Sequence, residues 1–225
     1  KALDTTSKVK RKVETTNAEA YEFYLKAQYY FHDYLKTLNF QDLKTARSLI
    51  KKSIELDKLF LAAMILLGRT YVFEYETNKD KKLKLNIKAQ NIFEQVLKQA
   101  QKSDDKLLQG RSLRNIGIVH AKNNVNEFNV KKGAYDKAFN YYSQSLNIAI
   151  EIDDKEGMAK SYNNIGVYYG GEGEDDKAIE YQICSLKISE ELGDNHGLGY
   201  SLLSIGSAYY FKGDFERALE YYDKS

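Results

Sequence analysis

Few side chains in this sequence have the types and spacing that chemistry needs. The three histidines, His32, His120 and His196, are too far apart to give the short ligand spacings of a zinc site. The single cysteine, Cys184, has no histidine placed beside it by the sequence pattern, so a nucleophilic role is not indicated. We therefore expect no catalytic residue, no metal site and no cofactor, and we expect that the chain is not an enzyme.

Two further patterns look functional but are typical of helix ends. Asp153-Asp154 and Asp175-Asp176 resemble paired carboxylates, yet both stand where helices are predicted to begin. Acidic side chains at that place cap the helix and interact favourably with its dipole. Gly170, Gly171 and Gly173 follow a predicted helix rather than a strand and lack the spacing of a phosphate-binding loop. They indicate a turn that ends a helix.

Composition narrows the class of protein. The 225 residues carry 34 Lys and Arg against 32 Asp and Glu, and a net charge of +2 gives no electrostatic basis for binding nucleic acid. No apolar run reaches the length of a membrane span and no secretory signal opens the sequence, so we expect no membrane insertion. One cysteine fits a reducing compartment, and we expect a cytoplasmic location. The absence of proline and of alternating strand patterns predicts an all-α fold.

The helical segments repeat in pairs. The first member of each pair carries a five-residue motif whose last residue is glycine: Leu113–Gly117 (LRNIG), Tyr162–Gly166 (YNNIG) and Leu202–Gly206 (LLSIG). The second member carries an alanine, and the last three alanines are forty residues apart; the same register extends toward the amino end, to give Ala46, Ala89, Ala138, Ala178 and Ala218, with Gly68 and Ala27 in the glycine position. A third small position holds Ser53, Ser145, Ser185 and Ser225, with Val96 as the exception. Such small residues allow helices to approach closely, and we expect the glycines to face the alanines.

This pattern resembles the tetratricopeptide repeat over residues 18–225. The resemblance implies a right-handed superhelical solenoid of antiparallel helix pairs. It places five repeats at about 18–57, 58–103, 104–153, 154–193 and 194–225, the last one truncated, after a linker of residues 1–17.

The repeats depart from the standard unit of about 34 residues. Their longer spacing is similar to that of kinesin light chains and Pins-type spindle adaptors, and two nine-residue insertions fall near residues 75–84 and 123–132. The opening stretch 17–27 resembles repeat segments beside the catalytic regions of bacterial nucleotide cyclases. Thr16 and Glu19 predict a capping box at the start of that first helix.

The resemblance also implies a binding surface, because repeats of this family line a concave face with their first helices. Carried over by position, the lining includes Ile65, Leu66, Val72, Phe73, Ile118, Ala121, Lys122, Val167, Gly170, Gly171, Leu203, Ser204, Tyr210 and Phe211. As peptide-binding candidates it gives Arg69, Arg111, Arg114, Asn115, Lys160, Asn163, Asn164, Tyr200 and Ser207. Asparagine can pair with the main chain of a peptide and arginine with a carboxylate, so we expect a polar, mildly basic seat. The alternative is that these residues form solvated helix faces.

Three functions stay open on this basis. The first is a scaffold that binds a peptide or helix of a partner protein, with self-association through an uncapped last helix around Ser225 as a further contact. The second is a regulatory segment of a larger bacterial signalling enzyme, a nucleotide cyclase or kinase, whose catalytic domain lies outside this chain. The third, reading of single-stranded RNA by helical repeats, is disfavoured by the nearly neutral charge.

Overall fold

The computed structural model describes residues 15–74, 79–123 and 132–225, and these ranges form ten α-helices and no β-strand. The helices are α1 (Ala18–Thr37), α2 (Phe40–Leu56), α3 (Leu61–Val72), α4 (Lys79–Lys102), α5 (Lys106–Asn123), α6 (Lys132–Glu151), α7 (Lys155–Gly171), α8 (Asp175–Leu192), α9 (Asn195–Phe211) and α10 (Phe215–Asp223). The prediction of an all-helical repeat protein is confirmed. Residues 1–14 of the predicted linker, and residues 75–78 and 124–131 of the predicted insertions, lie outside the described ranges.

The described helices belong to two compact units. The N-terminal unit, residues 15–123, contains α1 to α5, and the C-terminal unit, residues 132–225, contains α6 to α10. Within the N-terminal unit each helix packs on the next, and α3 also contacts α1 and α5. Within the C-terminal unit consecutive helices pack in the same way, and α7 also contacts α9. Each unit is therefore a stack in which first helices contact one another across a shared second helix.

Polar capping residues and residues with a left-handed backbone conformation stand at the helix ends. Asn17 is the N-cap of α1, and its side chain accepts a hydrogen bond from the backbone N–H of Ala20 at 3.0 Å. The predicted capping box of Thr16 and Glu19 is therefore wrong, because the helix begins one residue later than that motif requires. The turn after α7 is confirmed, since α7 ends at Gly171 and Gly173 has a φ of 76°.

The repeated alanines lie in the core of both units. Each is at most 3% exposed: Ala46, Ala89, Ala138, Ala178 and Ala218. The space over the glycines, however, is filled by a larger side chain one helical turn after the alanine. A Cβ added to Gly68 would lie 2.5 Å from the Phe93 ring, and one added to Gly166 would lie 2.7 Å from the Gln182 amide nitrogen. At these two positions the closest side chain to the glycine is therefore Phe93 or Gln182, which lies on the same helix as the repeated alanine.

Buried serine pairs join neighbouring helices of the C-terminal unit. The Ser145 and Ser161 hydroxyl oxygens are 3.1 Å apart between α6 and α7, and Ser201 donates to Ser185 at 3.0 Å between α9 and α8. Both pairs are buried, so each hydroxyl satisfies its neighbour where water is absent. The third small position of the repeat is therefore a site of hydrogen bonding as well as of close packing.

The exception at this position leaves a hydroxyl group without a partner. Ser112 on α5 stands in the register of Ser161 and Ser201, but the corresponding residue on α4 is Val96, which cannot donate or accept a hydrogen bond. Ser112 is fully buried, and its hydroxyl finds no hydrogen-bond partner within the described ranges. A buried hydroxyl left unpaired costs free energy that an alanine at the same place does not.

We expect Ser112→Ala to raise the free energy of unfolding by about 1 kcal/mol. The matched control is Ser201→Ala, which should lower it by about the same amount because it strands the Ser185 hydroxyl. Urea denaturation followed by circular dichroism measures both. If Ser112→Ala destabilises the protein as much as Ser201→Ala does, Ser112 has a partner and this explanation is wrong.

Candidate functional site

The C-terminal unit exposes a row of apolar side chains on its first helices. Val167 on α7 is 58% exposed, and Tyr200 and Leu203 on α9 are 52% and 48% exposed. Asn164 and Ser204 are half-buried at equivalent positions of the same two helices. α7 and α9 contact each other, and we call these exposed and half-buried residues of the two helices the α7/α9 face.

Three aromatic rings extend this face at the carboxyl end of α9. Tyr210, Phe211 and Phe215 are 53%, 75% and 64% exposed, yet they contact one another. The Tyr210 ring centroid lies 5.7 Å from that of Phe211 and 5.5 Å from that of Phe215, both in edge-to-face geometry. Such pairs are favourable and hold the rings in place. We call these three residues the aromatic cluster. The positions of α7 that correspond to Tyr210 and Phe211 are Gly170 and Gly171, which carry no side chain.

The α7/α9 face carries little charge. Helix α9, Asn195–Phe211, contains no Asp, Glu, Lys or Arg. On α7 the exposed Lys160 forms an ion pair with Glu156 one turn earlier. The face is therefore apolar and amide- or hydroxyl-bearing, with its two charges paired.

Three apolar positions of the predicted lining on α3, in the N-terminal unit, are buried. Ile65, Leu66 and Val72 on α3 are 6%, 4% and 6% exposed, although each belongs to the predicted lining. Ile65 stands in the same repeat position as Leu203, which is 48% exposed. These side chains are not available to a ligand.

Two cationic side chains and a tyrosine make contacts around the carboxyl end of α3 in the same unit. The Arg69 guanidinium lies 4.9 Å from the centre of the Phe31 ring, and the Lys122 ammonium 4.2 Å from that of Phe73. Lys122 also donates to the Val72 carbonyl at 3.2 Å, and the Tyr34 hydroxyl donates to the Phe73 carbonyl at 2.5 Å. These contacts satisfy carbonyls that a helix end leaves without partners.

The nine predicted peptide-binding residues are divided between the two units. The N-terminal unit holds Arg69, Arg111, Arg114 and Asn115, and the C-terminal unit holds Lys160, Asn163, Asn164, Tyr200 and Ser207. Asn115 is only 5% exposed, and its amide donates to the Arg111 carbonyl of its own helix at 2.7 Å. Arg69, Arg111 and Arg114 are half-buried.

The predicted peptide-binding residues of the C-terminal unit differ in the contacts that they already make within the protein. Gln182 donates to both the side-chain and the main-chain oxygen of Asn163 at 3.0 Å, which ties Asn163 to α8. Ser207 donates to the Leu203 carbonyl at 2.9 Å and accepts from the Tyr222 hydroxyl at 3.2 Å. Tyr200 is open to solvent and contacts His196, with ring centroids 4.7 Å apart. Of the predicted residues in this unit, Tyr200 and Lys160 are exposed, and Asn164 is half-buried.

Phe215 belongs to the aromatic cluster but was absent from the predicted lining. The sequence contains an indication of this residue, because Phe215 is the first residue of α10 and has the same repeat position as Asp175, the first residue of α8. A phenylalanine at the exposed first position of a helix, where acidic residues are favoured, indicates a role other than helix capping.

Tyr168 on α7 has a shifted pKa, but its contacts join two helices of the unit. Burial, together with the nearby carboxylates Glu172 and Asp136, raises the pKa of Tyr168 to about 12. The hydroxyl therefore stays protonated at neutral pH and donates to Asp136 at 3.3 Å, while the ring packs 4.8 Å from that of Phe139. This tyrosine joins α7 to α6.

The residues on which metal or nucleophilic chemistry was considered remain apart. Within residues 15–74, 79–123 and 132–225, no three His, Cys, Asp or Glu side chains come together as metal ligands would. Cys184 is exposed on α8 and forms no disulfide. None of the helices in these ranges combines the length and the apolar character needed to span a membrane.

Solved structures share this architecture at low sequence identity. BtubC from P. vanneervenii superimposes with a TM-score of 0.59 at 16% identity, over 92% of this chain and 87% of that one. A Rap protein complexed with competence and sporulation factor gives 0.72 at 17% identity, and the apo form of RapI gives 0.54 at 18%. Both superpositions cover 92% of this chain but only 52% of the Rap chain, so this chain spans about half the length of the Rap proteins. No curated protein sequence matches the chain.

The sequence itself carries the family signature in its second half. The tetratricopeptide-repeat family model matches residues 121–190 and 158–225. The matched ranges contain α7 to α10, the helices that form the α7/α9 face and the aromatic cluster. Residues 121–225 are accordingly tetratricopeptide repeats, and the chain shares its helical-repeat fold with the solved structures described above.

Proposed function

We propose that this chain is a protein-interaction scaffold that binds a peptide or helix of a partner protein on the α7/α9 face. The observation that carries the proposal is the contrast in exposure at equivalent repeat positions. Leu203 is 48% exposed on α9, whereas Ile65 is 6% exposed on α3. Large apolar side chains that are exposed together mark interaction surfaces on monomeric proteins.

The helices behind the face make it a suitable docking surface. Ile205 and Ala208 of α9 are buried against Ala178 and Ile179 of α8, and stacked rings of Tyr209 and Tyr221 join α9 to α10. The exposed residues are thus carried by a packed support and lose little conformational freedom on binding. The Rap protein of similar fold was solved in complex with competence and sporulation factor, which supports a ligand-binding role without identifying the ligand.

The predicted polar seat enters this proposal only in part. Lys160, Asn163, Asn164, Tyr200 and Ser207 belong to the unit that carries the face, and Asn164 offers an amide to a peptide main chain. Arg69, Arg111, Arg114 and Asn115 belong to the other unit and remain predictions.

Self-association through α10 also remains a prediction. Leu219 on α10 is 61% exposed, whereas Ile179, in the same position of α8, is 7% exposed and packs against α9. A helix of the α9 type would therefore fit over Leu219.

We expect peptides selected on the 225-residue chain from a phage-displayed random library to lose about tenfold or more in affinity for Tyr210→Ser/Phe211→Ser. Both residues are largely exposed, so the variant should keep its unfolding free energy. The control is Tyr21→Ser/Tyr29→Ser on α1, whose rings are 45% and 64% exposed in the other unit. Fluorescence anisotropy measures the affinities. A library that yields no peptide dependent on Tyr210 and Phe211 contradicts the proposed function.

A further inference from the structure

The charge pattern of the α7/α9 face indicates what kind of segment it accepts. We infer that the bound part of the partner protein is an apolar segment without charged side chains where it contacts α9 and the aromatic cluster. This inference rests on the proposed function and specifies the chemistry of the ligand.

Every Asp, Glu, Lys and Arg side chain of the described helices α7 and α9 belongs to an ion pair. Helix α9 contains no Asp, Glu, Lys or Arg, and Lys160 and Glu156 on α7 neutralise each other. Beyond the end of α9, Lys212 pairs with Asp176. A carboxylate or ammonium group placed against this surface would lose water without gaining a counter-charge, which is strongly unfavourable.

Burial of the aromatic cluster would favour the binding of an apolar ligand. Its three rings are more than half exposed and already held against one another, so a ligand covers them without ordering them first. Gly170 and Gly171 leave the adjacent end of α7 without side chains, so bulky apolar groups of a ligand fit beside the rings. Aromatic residues are the commonest anchors of protein interfaces.

The polar groups of the face suit a main chain better than ionic side chains. Asn164 and Ser204 are neutral, and both can donate and accept hydrogen bonds. In the N-terminal unit, by contrast, the single helix α5 carries three basic residues, Arg111, Arg114 and Lys122. The basic side chains predicted to receive a ligand carboxylate are thus concentrated on α5 and not on α9.

The test combines library selection with a change of charge at Ser204, a half-buried residue of the face. Random peptides are selected on the unaltered chain and sequenced, and the best binder is measured against Ser204→Lys and Ser204→Glu. We expect the enriched peptides to be depleted of charged residues, and both variants to weaken binding by about tenfold or more. Circular dichroism checks that both variants retain their helices, and Ser204→Ala controls for loss of the hydroxyl.

Each other outcome separates the inference from the proposed function. Enrichment of acidic or basic peptides, with Lys and Glu at position 204 acting in opposite directions, overturns the inference but leaves the face as a binding surface. Peptides whose affinity is unaffected by Tyr210→Ser/Phe211→Ser contradict the proposed function itself. Sedimentation of the chain alone gives a third readout, since a dimer dissolved by that double variant would assign the face to a second copy and overturn the inference.

Discussion

Arg47→Met should lower the free energy of unfolding by about 3–5 kcal/mol, because it leaves a buried carboxylate without its counter-charge. The Arg47 guanidinium lies 2.6 Å from a Glu74 oxygen, and the side chains of Arg47 and Glu74 are 16% and 7% exposed. The same guanidinium donates to the Thr70 hydroxyl at 3.1 Å and to the Thr70 carbonyl at 2.8 Å, and it lies 4.5 Å from the centre of the Tyr71 ring. One side chain of α2 therefore holds the carboxyl end of α3.

Removing both charges should cost far less than removing one. In Arg47→Met/Glu74→Leu no charge remains buried, and apolar replacement of a buried ion pair is often close to neutral. Lys26→Met is the control, because it breaks an exposed pair with Glu22 and should change stability by less than about 1 kcal/mol. Urea denaturation of the three variants measures these differences. A double variant as unstable as Arg47→Met would show that the hydrogen bonds to Thr70, and not the charge on Glu74, dominate.

Gly68→Ala should destabilise the N-terminal unit by roughly 1–3 kcal/mol, although alanine is the better helix former. Its Cβ would lie 2.5 Å from the Phe93 ring, and Phe93 is fully buried, so the ring has no free space to move into. In a Phe93→Leu background the cost of Gly68→Ala should be smaller, because the smaller side chain leaves room for the methyl group.

Gly170→Ala is the matched control for this prediction. Its nearest contact would be the Ala178 methyl at an ordinary 3.8 Å, and α7 continues through this residue. We expect it to raise the free energy of unfolding by up to about 1 kcal/mol, as helix propensity dictates. Thermal unfolding of both variants measures the difference. Equal gains from both would show that Phe93 does not occupy the space above Gly68.

The sequence pattern anticipated the repeats because their small residues are fixed by helix packing. Each of the five alanines is buried, and the third small position forms the pairs Ser145–Ser161 and Ser185–Ser201. Even the exception was informative, since Val96 coincides with the unsatisfied Ser112 hydroxyl. Short-range periodicity is enough to specify such contacts, because they recur between neighbouring helices.

The accessible surface was not predictable in the same way. Ile65 and Leu203 share one repeat position but differ in exposure from 6% to 48%. α3 contacts both α1 and α5, whereas α7 is the only first helix that α9 contacts within the described ranges, so one repeat position has different neighbours in the two units. The Arg47–Glu74 pair was missed for a related reason: the position of Arg47 is occupied by Ile179 in a later repeat, where it packs against α9 without any polar contact.

Polar side chains on a helix are a weak indicator of a binding site. Asparagine and serine on a helix often bond to their own helix or to the next one, as Asn115 and Ser207 do. Such side chains are already satisfied and gain little from a ligand. Exposed apolar residues have no such partner within the protein, so they indicate the binding surface more directly.

Thiol protection provides a direct test of whether ligands bind the α7/α9 face. In a Cys184→Ser background, which removes the exposed native thiol, single cysteines are introduced by Leu203→Cys or by Leu25→Cys. The native leucines are 48% and 46% exposed, so the two thiols start with similar access to reagent. With saturating selected peptide, we predict slower modification at position 203 and an unchanged rate at position 25. Protection at position 25 alone, or at neither position, would contradict the account.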